Sequence, residues 1–202
     1  MLETPTRDRR AERRDAVTAE ILDAAWEIAR TEGLAGLSLR DVAARIGMRP
    51  PSLYWYFDSK RAIYDAMFIQ GNKQLLARLT EQEWPDDPRA ALRLCARLFV
   101  EFSMEDVARY QLLFLRIVPN FEPSADAYAV AMQIYEQMRD RFAAPDLGGP
   151  AAFDIWTALV SGLSAQQIAN DPAGDRWLRL IDEVVDMYVD HITAPSRQRK
   201  GT

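Results

Sequence analysis

Apolar residues recur along most of this chain at the spacing of a helix. Val17, Ile21, Ala24 and Ile28 fall at intervals of three and four, and Gly33 follows as a stop. The pattern predicts a first helix from about Ala16 to Thr31. Ser38, with Asp41 three residues on, opens a second helix whose inward face is Leu39, Val42, Ala43 and Ile46, and Gly47 ends it. Pro50-Pro51-Ser52 opens a short third helix that ends near Phe57, because proline is cheap in a first turn. Asp58 or Ser59 caps a fourth that runs to about Gln82, with Gly71-Asn72 as a place to bend. Trp84-Pro85-Asp86-Asp87-Pro88 reads as a linker, with Asp87 as the cap of the next helix. Five further helices are predicted at about 88–104, 106–118, 124–142, 150–170 and 175–193, separated by Pro119, Pro123, Pro145, Gly148-Gly149-Pro150 and Pro172. No useful run alternates with the period of a strand.

The expected fold is therefore all-α, with about nine helices. The expected division is a flexible basic arm at 1–14, a three-helix N-terminal helix-turn-helix domain at 15–62, a C-terminal ligand-binding and dimerisation bundle at 63–193, and a flexible tail at 194–202.

Composition narrows the chemistry. With 202 residues, 49% hydrophobic and 27% charged, the chain can bury a core without staples. Cys95 stands alone, which excludes a disulfide framework, and His191 stands alone, which excludes multi-histidine metal chemistry. No cofactor and no metal site are expected. No apolar run approaches the roughly 18 residues of a membrane helix, and the charged N-terminus lacks the apolar stretch of a secretory signal. The expectation is a cytoplasmic protein with no membrane contact. The net charge of −5 is uneven: residues 1–60 hold ten basic and ten acidic side chains, and the remainder holds fifteen against twenty. Local charge in the N-terminal third is thus the electrostatic feature to weigh.

That third also carries the chemistry. Two short helices joined by Gly47-Met48-Arg49 have the helix-turn-helix spacing of DNA readers. At about 100° per residue, Leu53 and Phe57 share the core face of the third helix. Tyr54 and Tyr56 then lie on its flanks, and Trp55 points away with Pro51 and Ser52 nearby. Tyrosine hydroxyls placed so can reach phosphates on both walls of a major groove. Pro51, Ser52 and Trp55 can meet base edges, and Arg40 and Lys60, at helix starts, can reach phosphates. Two rival readings use the same residues: the aromatics close a three-helix core, or they form a protein contact that makes the chain a helical interaction module.

The set Ile21-Leu22-Asp23-Ala24-Ala25, Gly33, Ser38-Leu39-Arg40-Asp41-Val42-Ala43, Gly47-Met48, Leu53-Tyr54-Trp55-Tyr56-Phe57 and Ser59-Lys60-Arg61-Ala62 resembles the N-terminal domain of the tetracycline-repressor (TetR/AcrR) family over residues 15–68. The resemblance implies a helical homodimeric transcription regulator, usually a repressor, that leaves a palindromic double-stranded operator when a small molecule binds its C-terminal domain. By position it puts Arg40, Tyr54, Tyr56 and Lys60 on phosphates, and Arg49, Pro50, Pro51, Ser52 and Trp55 near bases. Two departures stand out. Arg49 replaces the usual small polar residue, and Ala29 replaces a large aromatic that Trp26, one turn earlier, can substitute.

The C-terminal helices carry aromatic and methionine stripes that suit either a ligand pocket or plain core. Candidate ligand residues are Phe99, Phe102, Tyr110, Phe114, Tyr128, Met132, Tyr135 and Trp156. With no charge on those stripes, they favour a neutral or lipophilic effector. Phe153, Val160, Leu163 and Gln167 on one helix and Leu178, Ile181, Val185 and Tyr188 on the next are candidates for a homodimer seam, with closure of the subunit's own core as the alternative.

An enzyme is disfavoured. Gly162-Leu163-Ser164 lacks the last glycine and the preceding strand of a nucleophile elbow. Asp182, Asp186 and Asp190 form a carboxylate row without the histidines of a di-metal bundle, and read as a solvated face. No catalytic residues are assigned.

Overall fold

The computed structural model describes residues 9–142 and 150–194. Among them lie nine α-helices and no strand: α1 (Arg9–Glu32), α2 (Leu39–Arg45), α3 (Pro50–Leu53), α4 (Lys60–Thr80), α5 (Pro88–Glu105), α6 (Val107–Phe114), α7 (Ala125–Arg141), α8 (Pro150–Asn170) and α9 (Ile181–Thr193). The all-α expectation holds. Residues 1–8 of the expected arm, Pro145 and Gly148-Gly149 among the expected separators, and residues 195–202 of the expected tail lie outside the described residues.

Side chains start most of these helices. Ser38 accepts from the Asp41 N–H at 3.2 Å and pairs with the Asp41 carboxylate, closing the expected box. Ser59, Asp87, Asp106 and Ser124 accept from the N–H of Ala62, Ala90, Arg109 and Ala127. Gly47, at φ +66°, takes the left-handed conformation that ends α2 and turns the chain into α3.

Two buried clusters result. The N-terminal one joins Ile21, Ile28, Val42, Leu53, Phe57, Ile63 and Met67. Trp26 fills it where Ala29 leaves room, and its indole donates to Gln70 of α4 at 2.7 Å. The C-terminal cluster joins α5, α8 and α9 with the second half of α4. α4 is common to both clusters, so the expected division at 62/63 falls near the start of a helix that serves both.

Five local expectations are corrected. α3 ends at Leu53, not near Phe57: at Trp55 and Tyr56 the backbone bonds tighten to i→i−3 turns, Trp55 N–H to the Ser52 carbonyl and Tyr56 N–H to the Leu53 carbonyl. α1 begins at Arg9, not Ala16, because its arginines and alanines are good helix formers. The Trp84–Pro88 stretch is a turn within the C-terminal core, not a linker between domains: the Trp84 ring packs edge-on against Phe142, and its N–H donates to the Leu79 carbonyl. α6 stops at Phe114, four residues early, since Val118 and Phe121 are drawn onto the N-terminal cluster, with Phe121 against Tyr64. The last helix starts at Ile181 after a 3-10 turn at Leu178–Leu180, later than 175. Gln167 shapes that approach, accepting from the Trp177 and Leu178 N–H groups and donating to the Gly174 carbonyl.

Candidate functional site

The first candidate site is the rim around α3. Leu53 and Phe57 are buried, as the period requires, while Trp55 is 83% and Tyr54 56% exposed. Arg40, Arg49, Pro50, Pro51 and Ser52 are exposed beside them, and Tyr56 is half-buried. A domain this small has no second layer to cover the outer face of so short a helix. The reading that the aromatics close a core therefore fails for Trp55 and Tyr54. Lys60 is placed differently from the expectation. Its ammonium donates to the Ala35 carbonyl at 2.9 Å and lies 5.4 Å from the Tyr64 ring centre, so it first pins α4 to the turn after α1. Tyr64 donates to the Leu34 carbonyl in the same corner, and burial pushes its phenol up to about 12.

The second candidate site is a cavity of 290 Å³ among α4, α5, α7 and α8, with α6 closing one end. Of the eight expected ligand residues, Phe99, Phe114, Tyr128, Tyr135 and Trp156 line it. Three do not. Phe102 turns its ring to Arg109, whose guanidinium stacks 3.6 Å from its centre. Tyr110 is buried against Phe114, and Met132 lies off the wall. The periodicity did not show the contribution of α4, nor that of α8 beyond Trp156: Phe68, Asn72, Leu75, Thr157, Val160 and Ser161 all face the space. Gly71 lets α4 approach α6 closely, since an added Cβ would lie 2.8 Å from Leu113. Among the described residues no charged side chain lines the cavity. Cys95 does, and burial pushes its thiol up to about 12, which keeps it protonated and unreactive. A neighbouring pocket of 250 Å³ shares Phe68, Leu113, Phe114 and Tyr128 as a common wall.

The expected seam residues face inward. Phe153, Val160, Leu163, Gln167, Ile181, Val185 and Tyr188 are buried within the subunit, and Leu178 packs against the same core. Apolar residues cover more than one face of α8, so the inward stripe leaves Ile155 (44% exposed) and Leu159 on the opposite side, with Leu180 and Met187 (66%) exposed near α9. Ser164 is fully buried in α8 and donates to the Val160 carbonyl, a helix-internal bond and not a nucleophile's setting. The aspartate row is not merely solvated: Asp182, Asp186 and Asp190 pair with Arg89, Arg93 and Arg97 of α5.

Two links tie α1 and α4 to the starts of α6 and α7, two of the helices around the cavity. Arg30 of α1 donates at 2.8 Å to Asp106, the residue that caps α6. Asp65 of α4 accepts from the Ser124 N–H at 2.9 Å, at the start of α7.

Residues 21–67 match the family model of bacterial regulatory proteins, tetR family. Residues 21–67, about a quarter of the chain, thus form a tetR-family segment. Among curated TetR-like relatives, the uncharacterized HTH-type transcriptional regulator YobS of Bacillus subtilis is 30% identical over 97 residues, 48% of this chain and 51% of that protein. The tetracycline repressor protein class D of Escherichia coli is 35% identical over 65 residues, 32% of this chain and 28% of that protein. The chain thus spans about half the length of the first relative and under a third of the second. A bacterial regulatory protein of the tetR family from Rhodococcus RHA1 shares the fold, with TM-score 0.64, 20% identity, and coverage of 87% of this chain and 96% of that one. Among the described residues no helix is long and apolar enough to cross a membrane.

Proposed function

We propose that this chain, with its tetR-family segment, is a ligand-responsive homodimeric transcriptional repressor that reads a palindromic DNA operator through α3. The observation that carries the proposal is the exposed Trp55–Tyr54 edge on a helix-turn-helix. Residues 15–62 form the DNA-reading unit, and residues 63–193 hold effector and partner. Trp55, Ser52, Pro51, Pro50 and Arg49 face the bases, while Arg40, Tyr54 and Tyr56 hold phosphates. Lys60 still has two donors for a phosphate while anchored to Ala35.

The effector is an uncharged, largely apolar molecule, because among the described residues the cavity walls are aromatic and aliphatic, with polar groups from Asn72, the two tyrosines, Thr157, Ser161, the Cys95 thiol and the Trp156 indole. Its binding acts on DNA affinity through α4, which lines the cavity with its second half and packs into the reading domain with its first. The partner subunit covers the outer stripe of α8 and α9, Ile155, Leu159, Leu180 and Met187, not the inward residues. Such a dimer sets two copies of α3 about 34–36 Å apart, one turn of DNA. Work in the cytoplasm suits a free thiol and the absence of a disulfide.

Selection of duplexes from a random pool, followed by fluorescence anisotropy, tests the reading. The wild-type chain should enrich a palindrome and bind it with a steep negative salt dependence. Recovery of no preferred duplex refutes it. Sedimentation should show a dimer that Leu159→Glu splits into monomers.

A further inference from the structure

At its N-terminus α1 overhangs the domain that it helps to build. Its core-facing stripe is Val17, Ile21, Ala24 and Ile28, the last three buried. Followed back toward the N-terminus at 100° per residue, the same stripe continues as Arg14, Arg13 and Arg10, within an arc of about 100°. Glu12 and Asp15 fall on the opposite side of the helix. The face that packs on the helix-turn-helix thus becomes cationic where it runs out of protein to cover. At about 1.5 Å per residue, Arg10 stands roughly 10 Å beyond Val17.

This overhang does not point into empty solvent. Arg10, Arg13 and Arg14 form one wall of an open groove of 640 Å³, whose other wall is Ser52, Trp55 and Tyr56 of the α3 segment. Among the described residues no carboxylate lines the groove. An arginine-lined wall facing an exposed recognition edge fits a chain of regularly spaced anions.

We infer that the first turns of α1 are a second DNA-contacting element, a cationic ridge that grips the sugar–phosphate strand bordering the groove entered by α3. This rests on the DNA-binding reading above and extends it to residues outside the helix-turn-helix. The strand lies between the ridge and the Trp55 edge. The arginines supply charge and orientation, and the α3 side chains supply sequence preference. The ridge therefore adds affinity for any duplex and little discrimination between duplexes.

The test uses the full chain, the duplex enriched by the wild type and a scrambled duplex of the same composition, with anisotropy measured across a range of salt. Arg10→Ala/Arg13→Ala/Arg14→Ala should weaken binding to both duplexes alike and leave their ratio unchanged. The slope of log K against log salt should become shallower by about 0.9 for each phosphate that the protein no longer neutralises, up to about 5 for three arginines in each of two subunits. Alanine keeps the helix, so circular dichroism should match the wild type. Arg10→Lys/Arg13→Lys/Arg14→Lys keeps the charge and should restore most of the slope. An unchanged slope in the alanine variant, or an equal loss in the lysine variant, overturns the ridge while leaving the regulator reading intact. A wild-type chain with no salt-dependent duplex binding overturns both.

Discussion

The α3 rim and the C-terminal cavity are both rich in aromatic rings, yet the rings meet opposite fates. Trp55 is 83% exposed and Trp156 4%. Trp156 sits on a long helix, flanked by Tyr188 at 5.3 Å and Phe142 at 6.4 Å between ring centres. Trp55 sits in the turn just after the four-residue α3, on the outer side of a three-helix unit that has nothing to lay over it. The difference lies in what surrounds the residue, not in its type. An exposed aromatic cluster on a small domain is a surface kept for a partner. A buried cluster on long helices can leave a gap, because rigid rings do not fill every volume.

The sharpest way to break this contrast is to remove each tryptophan and measure stability. Trp156→Ala should cost about 3–5 kcal/mol in urea unfolding, as large buried aromatics do. Trp55→Ala should change stability by no more than about 0.5 kcal/mol. Equal losses would mean that the rim is structural. The same Trp55→Ala variant should weaken binding of the enriched duplex by about 1–3 kcal/mol, read by anisotropy, while Trp156→Ala acts on DNA only through folding.

Gly47 sharpens the rim side of the comparison. Its φ of +66° is one that alanine adopts only under strain, so Gly47→Ala should cost about 1–2 kcal/mol and loosen the seating of α3. Thermal melts and DNA affinity should fall together. Next is the cavity: Ala131→Trp, which places a large ring into the lined space, should abolish uptake of a neutral naphthylamine dye while the circular dichroism stays that of the wild type. Dye binding at wild-type level would show that the cavity is not the ligand site.

The smallest effect concerns the α5–α9 ion ladder. Burial raises the Asp186 value, but hydrogen bonds from Arg89 and Arg93 outweigh it and hold the carboxyl below its ordinary 3.8. A depressed value means that the stabilisation is present above the unfolded-state pKa and fades as pH falls through the folded one. Asp186→Asn should therefore lower Tm slightly at neutral pH, and the two melting curves should converge on acidification below the ordinary aspartate range. The pair is exposed, so salt should shrink the difference further.

The rim was legible in the chain because short-range rules fixed it. Ser38, Gly47, Pro50 and Ser59 bound helices too short to have more than one buried face, so Leu53 and Phe57 had to point in and Trp55 out. The aromatic and methionine periods of α5 and α7 likewise announced three of the cavity residues, Phe99, Tyr128 and Tyr135, but spacing alone could not say that Phe102 turns to Arg109 or that Tyr110 packs away from the space.

The sequence by itself thus determined the nine helices of the described residues, the caps at Ser38, Ser59 and Asp87 and the residues of the exposed edge, since each depends on neighbours within a few positions. Only the tertiary structure decided which apolar stripe of α8 turns inward. When apolar residues cover more than one side of a helix, the period cannot choose between them, and packing against α5 placed Val160 in the core and Ile155 outside. It also decided that α4 would serve both clusters and that the arginines of α1 would stand beside Trp55, because both depend on where separate segments meet in space.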